Sequence, residues 1–197
     1  MRLCIFGDSI TWGANDFEYG GWAAHLKNYL YRKDESDVYN LGISGDVTTQ
    51  TLRRIDGEAS ARRAEAIIFA LGVNDSAYVK SKNARWTPRD EFKKNLKLLH
   101  EKARMFTEGI FFIGLTPLDE TKLQPAPFAT DYYYDAKSRD EYNEYTRAFC
   151  EEKSIPFISM EGVLTLDDLS DGLHPNTDGH KKMFEKVTSE IEMRKLL

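Results

Sequence analysis

Short apolar runs alternate with longer amphipathic stretches along most of this 197-residue chain. The apolar runs, rich in Ile, Phe and Val, predict buried strands, and the stretches between them repeat apolar residues at the three- and four-residue spacing of helices. This alternation predicts an α/β fold, a three-layer α/β/α sandwich built as one domain over residues 1–197. The predicted strands are residues 2–6, 37–41, 66–71, 110–115 and 155–159. The predicted helices are residues 20–32, 47–56, 89–107, 137–153 and 176–193.

Charge and cysteine content exclude several classes of function. The formal net charge is -5, and no basic cluster is present that would neutralise a phosphate backbone, so nucleic acid is not expected as a partner. The longest apolar runs, such as residues 66–71 and 109–115, are too short for a membrane span. No signal peptide is visible, and Cys4 and Cys150 do not resemble a disulfide framework. We therefore expect a cytoplasmic protein.

Polar motifs follow the predicted strands at the points where those strands end. GDS at residues 7–9, SGD at 44–46 and GVND at 72–75 each come directly after a strand or within a few residues of it. Because the carboxyl ends of parallel strands lie at one edge of a sheet, these loops are expected to meet there. DGLH at residues 171–174 lies between the fifth strand and the last helix, so its loop can reach the same edge.

These motifs contain the parts of an acyl-transfer site, which needs a nucleophile, a base and a group that orients the base. Ser9 is the predicted nucleophile, and His174 is the predicted general base. Asp171 would hold the imidazole in the tautomer that leaves one nitrogen facing Ser9. Taken singly, each residue also has an ordinary interpretation: a serine capping a turn, a histidine at a helix entry, and an Asp-Gly turn.

Oxyanion donors are available at the same edge. We predict three of them: the backbone N–H of Ser9, the backbone N–H of Gly45 and the side-chain amide of Asn74. Taken singly, Gly45 fits a plain turn and Asn74 an Asx-turn better than a catalytic role, so the joint appearance of these residues at successive strand ends carries the prediction. Asp8 and Asp75 adjoin the motifs, and we predict that they hold loop backbone without a catalytic role.

The combination resembles the SGNH hydrolase family, also called GDSL esterases and lipases. Four blocks match in order: Gly-Asp-Ser-Ile-Thr with Ser9, Ile-Ser-Gly-Asp with Gly45, Gly-Val-Asn-Asp with Asn74, and Asp-Gly-Leu-His-Pro-Asn with Asp171 and His174. The resemblance implies a flavodoxin-like sandwich with five parallel strands in the order 2-1-3-4-5. It also implies hydrolysis of a small-molecule substrate, a short-chain ester, an acylated sugar or a thioester, without a metal or other cofactor.

Alternative functions remain open from the sequence. A metal-dependent phosphoesterase would also use polar groups at strand ends, but it needs several ligating histidines, and of the four in this chain only His174 and His180 lie near a motif. An acyltransferase would use the same three residues with another hydroxyl as the acyl acceptor. A non-catalytic module that binds acylated ligands would keep the fold, although it has no need of a paired nucleophile and base.

A long loop is predicted at residues 116–135, which contain three prolines. Long loops at strand ends often carry binding residues. The tyrosines at 132–134 within this loop, together with Trp12 and Trp86, are candidates to line an acyl or sugar pocket, although aromatic residues more often pack in the core or on the surface.

Overall fold

The computed structural model describes residues 1–195, so the last two positions of the predicted domain 1–197 lie outside the described residues. That domain extent stays a prediction. Within the described range the strands are β1 (Arg2–Gly7), β2 (Asp37–Gly42), β3 (Ala66–Ala70), β4 (Tyr78–Val79), β5 (Ala84–Arg85), β6 (Ile110–Ile113), β7 (Tyr132–Tyr133) and β8 (Phe157–Ile158). The α-helices are α1 (Ser9–Trp12), α2 (Trp22–Asp34), α3 (Thr48–Arg62), α4 (Val73–Ser76), α5 (Arg89–Ala103), α6 (Ala136–Lys153) and α7 (Thr177–Arg194).

The main sheet contains five parallel strands in the order β2-β1-β3-β6-β8. In chain order these are the five predicted strands, so the predicted order 2-1-3-4-5 is confirmed. The central strands are continuous apolar runs because helices cover both of their faces. Leu3 to Phe6 of β1 and Ile67 to Phe69 of β3 are fully buried, and the Phe69 ring stacks near those of Phe6 and Phe112, with centroids 5.9 and 4.9 Å away.

Helices form the two outer layers of the sandwich. Helix α2 packs against α7, while α3 packs against α5 and α5 against α6. Each long helix turns a stripe of apolar residues toward the sheet, as α5 does with Phe92, Leu96, Leu99 and Ala103. The three-layer α/β/α sandwich is therefore confirmed. No helix within residues 1–195 is long and apolar enough to cross a membrane.

Several element boundaries differ from the predicted ones. The helix predicted at 47–56 continues to Arg62 through Gly57, because Ala59 still packs into the core. The helix predicted at 89–107 ends at Ala103. The strands predicted at 110–115 and 155–159 are shorter, since β6 and β8 share only two residue pairs at the edge of the sheet.

A second, antiparallel sheet lies beside the main one and is absent from the sequence prediction. Its order is β5-β4-β7, with Tyr78 paired to Arg85 on one side and to Tyr133 on the other. Strand β7 belongs to the loop predicted at 116–135, so this segment is folded against the rest of the chain. Because α4 and β4 directly follow β3, the small sheet holds the segment next to the carboxyl edge of the main sheet.

Candidate active site

Ser9 is the first residue of α1, immediately after β1. The preceding Asp8 caps this helix, and its carboxylate accepts a hydrogen bond of 2.9 Å from the backbone N–H of Ile10. Gly7 is required by a close approach, since a Cβ at this position would lie 2.1 Å from the Thr11 hydroxyl and 2.6 Å from the Ala70 carbonyl oxygen. The tight strand-to-helix turn therefore fixes where the Ser9 hydroxyl lies.

Ser9, His174 and Asp171 form one hydrogen-bonded chain. The Ser9 Oγ lies 2.9 Å from His174 Nε2, although the two residues are 165 positions apart in sequence. His174 Nδ1 lies 2.7 Å from Asp171 Oδ2. When Nδ1–H donates to the carboxylate, the lone pair of Nε2 faces the serine hydroxyl and can accept its proton.

Four donors hold the Asp171 carboxylate. Its Oδ1 accepts the backbone N–H groups of Leu173 at 3.0 Å and His174 at 2.9 Å, and its Oδ2 accepts Asn15 Nδ2 at 3.1 Å besides the imidazole. Burial alone would raise the pKa of Asp171, but the hydrogen bonds from the ring and backbone of His174 outweigh it and hold that pKa well below its usual range. The carboxylate is therefore ionised at neutral pH.

Asn15 is a site residue that the sequence analysis missed. It lies in the turn after α1 with a φ of 67°, a left-handed conformation that asparagine adopts more readily than most residues. The signal in the sequence is an ordinary Asn near a turn. Nothing local connects it to an aspartate 156 residues later.

Gly45 and Asn74 flank Ser9 on the neighbouring strand ends. Gly45 lies in the turn after β2 with a φ of 82°, and a Cβ there would meet nothing within 4 Å, so the backbone conformation, and not the space, favours glycine. Asn74 lies in α4, directly after β3. Its Nδ2 donates to the Asp46 carbonyl oxygen at 3.1 Å, and its Oδ1 accepts the Tyr134 hydroxyl at 2.9 Å.

One pocket of about 410 Å³ contains four of the predicted site residues, and Asp171 lies behind it, hydrogen-bonded to His174. Its lining residues are Ser9, Ala14, Ser44, Gly45, Asn74, Trp86, Phe128, Ala129, Tyr132, Tyr134, Leu173 and His174. Among the aromatic candidates, Trp86, Tyr132 and Tyr134 line the pocket. Trp12 does not; it is 56% exposed on the surface.

The aromatic lining residues are ordered by contacts with one another and with the site. The rings of Trp86 and Tyr132 stack with centroids 4.8 Å apart and planes 9° from parallel. Phe128, which the sequence analysis did not single out, meets the His174 ring edge-on with centroids 5.0 Å apart. Phe128, Tyr132 and Tyr134 all come from the segment 116–135.

Asp8 and Asp75 hold backbone beneath the pocket, as predicted. The Asp75 carboxylate accepts the backbone N–H of Thr48 at 3.1 Å and its hydroxyl at 2.6 Å, which ties the end of β3 to the start of α3. Burial raises the pKa of Asp8 to about 7 and that of Asp75 to about 6. The pKa values of both carboxyl groups therefore lie near neutral pH.

His180, the other histidine near a motif, has a structural role. It is fully buried, its Nε2 lies 2.9 Å from the Ala14 carbonyl oxygen, and its Nδ1 accepts the backbone N–H of Trp22 at 3.3 Å. Burial lowers its pKa, so the ring is neutral and links α7 to the turn after α1. Across residues 1–195, no three His, Cys, Asp or Glu side chains gather as metal ligands.

Residues 5–182 match the model of the GDSL-like lipase/acylhydrolase family. This match covers most of the chain, and the chain therefore belongs to that family, which is the SGNH family that the sequence motifs resemble. The protein is an acylhydrolase of the GDSL type. No curated protein sequence matches it.

Solved structures share this fold at low sequence identity. LAE5, an alpha/beta hydrolase enzyme from the metagenome of Lake Arreo, Spain, superposes with a TM-score of 0.75 at 18% identity, covering 97% of this chain and 94% of that one. Axe2, an acetylxylan esterase from Geobacillus stearothermophilus, superposes with a TM-score of 0.76 at 20% identity, covering 96% and 93% respectively. At this identity the likeness establishes the fold.

Proposed function

We propose that this protein hydrolyses acyl esters through an acyl-enzyme on Ser9. His174 removes the Ser9 proton as the hydroxyl attacks the acyl carbonyl carbon, and the imidazolium then protonates the leaving alcohol as its bond to the acyl carbon breaks. His174 next activates a water molecule, which attacks the acyl-enzyme and releases the acid and free Ser9. Asp171 orients the ring and stabilises the imidazolium.

The observation that carries the proposal is the 2.9 Å approach of Ser9 Oγ to His174 Nε2, with Asp171 2.7 Å from the opposite ring nitrogen. Further support comes from Axe2. Catalytic mutants of that esterase replace a serine, a histidine and an aspartate, and the last two are three positions apart, which is also the spacing of Asp171 and His174.

The negative charge that develops on the acyl oxygen must be stabilised by hydrogen-bond donors, and the proposed donors come from Ser9 and its neighbours. We assign this role to the backbone N–H groups of Ser9 and Gly45 and to the side-chain amide of Asn74, three residues that line the same pocket. These groups are neutral, so they stabilise a transient negative charge at every pH at which the protein is folded.

The substrate that fits best is a neutral ester with a short acyl group. The pocket of about 410 Å³ is at the small end of the usual range for small-molecule sites, and its described lining residues include aromatic rings but no Lys or Arg. An acetylated sugar is the first natural substrate class to test, since Axe2 is an acetylxylan esterase. Thioesters and aryl esters complete the panel.

The decisive experiment measures turnover of p-nitrophenyl acetate, butyrate and octanoate together with acetylated xylose and an acyl thioester. We expect turnover of the short-chain esters, a loss of about 10⁴-fold or more in Ser9→Ala, and stoichiometric labelling of Ser9 by an alkyl phosphonate. Ser44→Ala is the matched control, because Ser44 borders the same pocket while the His174 ring bonds to Ser9 and Asp171. Undiminished turnover in Ser9→Ala would refute the proposed nucleophile.

Two outcomes favour the alternatives. If added alcohols become acylated in preference to water, the protein is an acyltransferase with the same three residues. If the panel shows no turnover and the phosphonate leaves Ser9 unlabelled, the chain acts as a binding module for acylated ligands.

A further inference from the structure

The side-chain amide of Asn74 is held at both ends. One N–H of Nδ2 is committed to the Asp46 carbonyl oxygen at 3.1 Å, and Oδ1 accepts the Tyr134 hydroxyl at 2.9 Å. An amide is planar, so these two bonds define its orientation and with it the direction of the second N–H of Nδ2. Rotating the amide by half a turn would place an NH₂ group against the tyrosine hydroxyl and an oxygen against the Asp46 oxygen.

Tyr134 is suited to act as a permanent donor. Its side chain is 2% exposed, and burial is the main cause that raises the pKa of its phenol well above the ordinary value. The hydroxyl therefore keeps its proton throughout the working pH range. A hydrogen bond to the amide oxygen also polarises the amide, which strengthens its N–H groups as donors.

The backbone around Tyr134 holds the hydroxyl in place. The Tyr134 N–H donates to the Leu123 carbonyl oxygen at 3.2 Å, and the Tyr134 carbonyl oxygen accepts Gln124 Nε2 at 2.5 Å. The two preceding residues form β7, which pairs with β4 just beyond Asn74. A phenol anchored in this way is a fixed point against which a short side chain such as Asn74 can be oriented.

We propose that Tyr134 is a positioning residue for oxyanion stabilisation, acting through Asn74. Its hydroxyl holds the Asn74 amide in the one orientation that turns the free N–H of Nδ2 toward the acyl oxygen of the tetrahedral intermediate. The inference rests on the proposed function, since it assigns Asn74 to the oxyanion. It makes the segment 116–135 part of the chemistry as well as part of the pocket wall.

The test is Tyr134→Phe, which removes only the hydroxyl. We expect kcat for p-nitrophenyl acetate to fall about 10-fold with KM within about twofold, because the lost interaction matters chiefly in the transition state. Tyr142→Phe is the matched control: Tyr142 is also buried, its hydroxyl donates to the Thr87 backbone oxygen, and neither Tyr142 nor Thr87 lines the pocket. A role that is only structural would lower the stability of both variants and leave both kcat values unchanged.

A double-mutant cycle shows whether Tyr134 acts through Asn74. Asn74→Ala alone should lower kcat about 100- to 1000-fold. In that background Tyr134→Phe should cost less than about twofold, because the amide that the hydroxyl orients is gone. Each rate is divided by the concentration of active sites, which is measured by titration to completion with a phosphonate, so that unfolded protein does not lower the rate. If Tyr134→Phe fails to fold, Tyr134→Met replaces it.

The outcomes separate this inference from the function on which it rests. An unchanged kcat in Tyr134→Phe, or an equal loss with and without Asn74, overturns the positioning role while Ser9→Ala still abolishes turnover. Full activity in Ser9→Ala overturns the proposed function itself.

Discussion

Two sides of the same pocket are built in different ways. One side, here called the polar edge, consists of Ser9, Gly45, Asn74 and His174, together with Asp171 behind His174. The other, the aromatic wall, consists of Trp86, Phe128, Tyr132 and Tyr134. Four of the five residues of the polar edge lie within a few residues of a main-sheet strand or of a long helix. Three of the four residues of the wall belong to an irregular segment held by two-residue strands.

Under the proposed function, this difference separates the groups that carry out the chemistry from those that select the substrate. Groups that exchange a proton must be held within tenths of an ångström, and short turns at the ends of buried strands provide that precision. A wall that only selects among esters tolerates a looser frame, and a loop segment can change without disturbing the core. Tyr134 is the exception, because it belongs to the wall and holds a residue of the polar edge.

After Ser9→Ala, the largest effect is expected on the polar edge, in Asp171→Asn. The two backbone N–H groups that contact Oδ1 will hold the amide oxygen, so the NH₂ group faces His174 Nδ1 and forces the tautomer with a proton on Nε2. That ring cannot accept the Ser9 proton, and we expect kcat to fall about 10³- to 10⁴-fold. Steady-state kinetics with p-nitrophenyl acetate measure this loss, and Asp167→Asn is the control because Asp167 is exposed. A loss under tenfold would contradict the assigned role.

A smaller effect, of a different kind, is expected on the wall in Phe128→Ala. Removing this ring takes apolar contact from the bound ester without touching the proton-transfer groups, so KM should rise about 3- to 10-fold while kcat stays within about twofold. Phe17→Ala is the control, because Phe17 is 92% exposed and does not line the pocket. A fall in kcat as large as that in Asp171→Asn would erase the distinction between the two sides.

The smallest effect concerns stability beneath the polar edge. Since burial raises the pKa of Asp8 to about 7, the folded protein keeps a proton that the unfolded chain releases near pH 4, so this group lowers stability as pH rises from about 4 to about 7. Asp8→Asn keeps the helix cap without the charge. We compare the free energies of unfolding of Asp8→Asn and the wild type at each pH. The variant's value minus that of the wild type should be larger at pH 8 than at pH 5 by about 1 kcal/mol or more. Urea titrations that give the same difference at both pH values would contradict this.

Sequence reasoning succeeded where a local pattern reports the structure. Strands β1 and β3 are apolar runs and β2 is partly apolar, and the residues Ser9, Asn74 and Gly45 follow them respectively. The rule that parallel strands end at one edge therefore predicts that these residues lie together. Asp171 and His174 could also be predicted from a local pattern, because their three-residue spacing within one turn places both side chains together.

The sequence predicts three residues of the aromatic wall, Trp86, Tyr132 and Tyr134, but neither Phe128 nor the small sheet that holds the wall, because no local pattern encodes them. Strands of two residues such as Tyr78–Val79 and Tyr132–Tyr133 are too short to show a period, and their pairing joins positions more than 50 residues apart. The bond from Asn15 to Asp171 and the contact of Phe128 with His174 likewise depend on how distant loops meet. Such contacts form only in the assembled fold, and neither the spacing of motifs nor the composition of the sequence predicts them.

The 165-residue separation of Ser9 and His174 has a consequence during synthesis. The hydroxyl leaves the ribosome long before its imidazole partner, and four of the five strands of the main sheet are made in between: β2, β3, β6 and β8. A nascent chain that ends before residue 174 therefore has the serine but not the imidazole that contacts it in the folded protein. Under the proposed function, recovery of turnover after dilution from denaturant therefore requires that these two distant segments have come together.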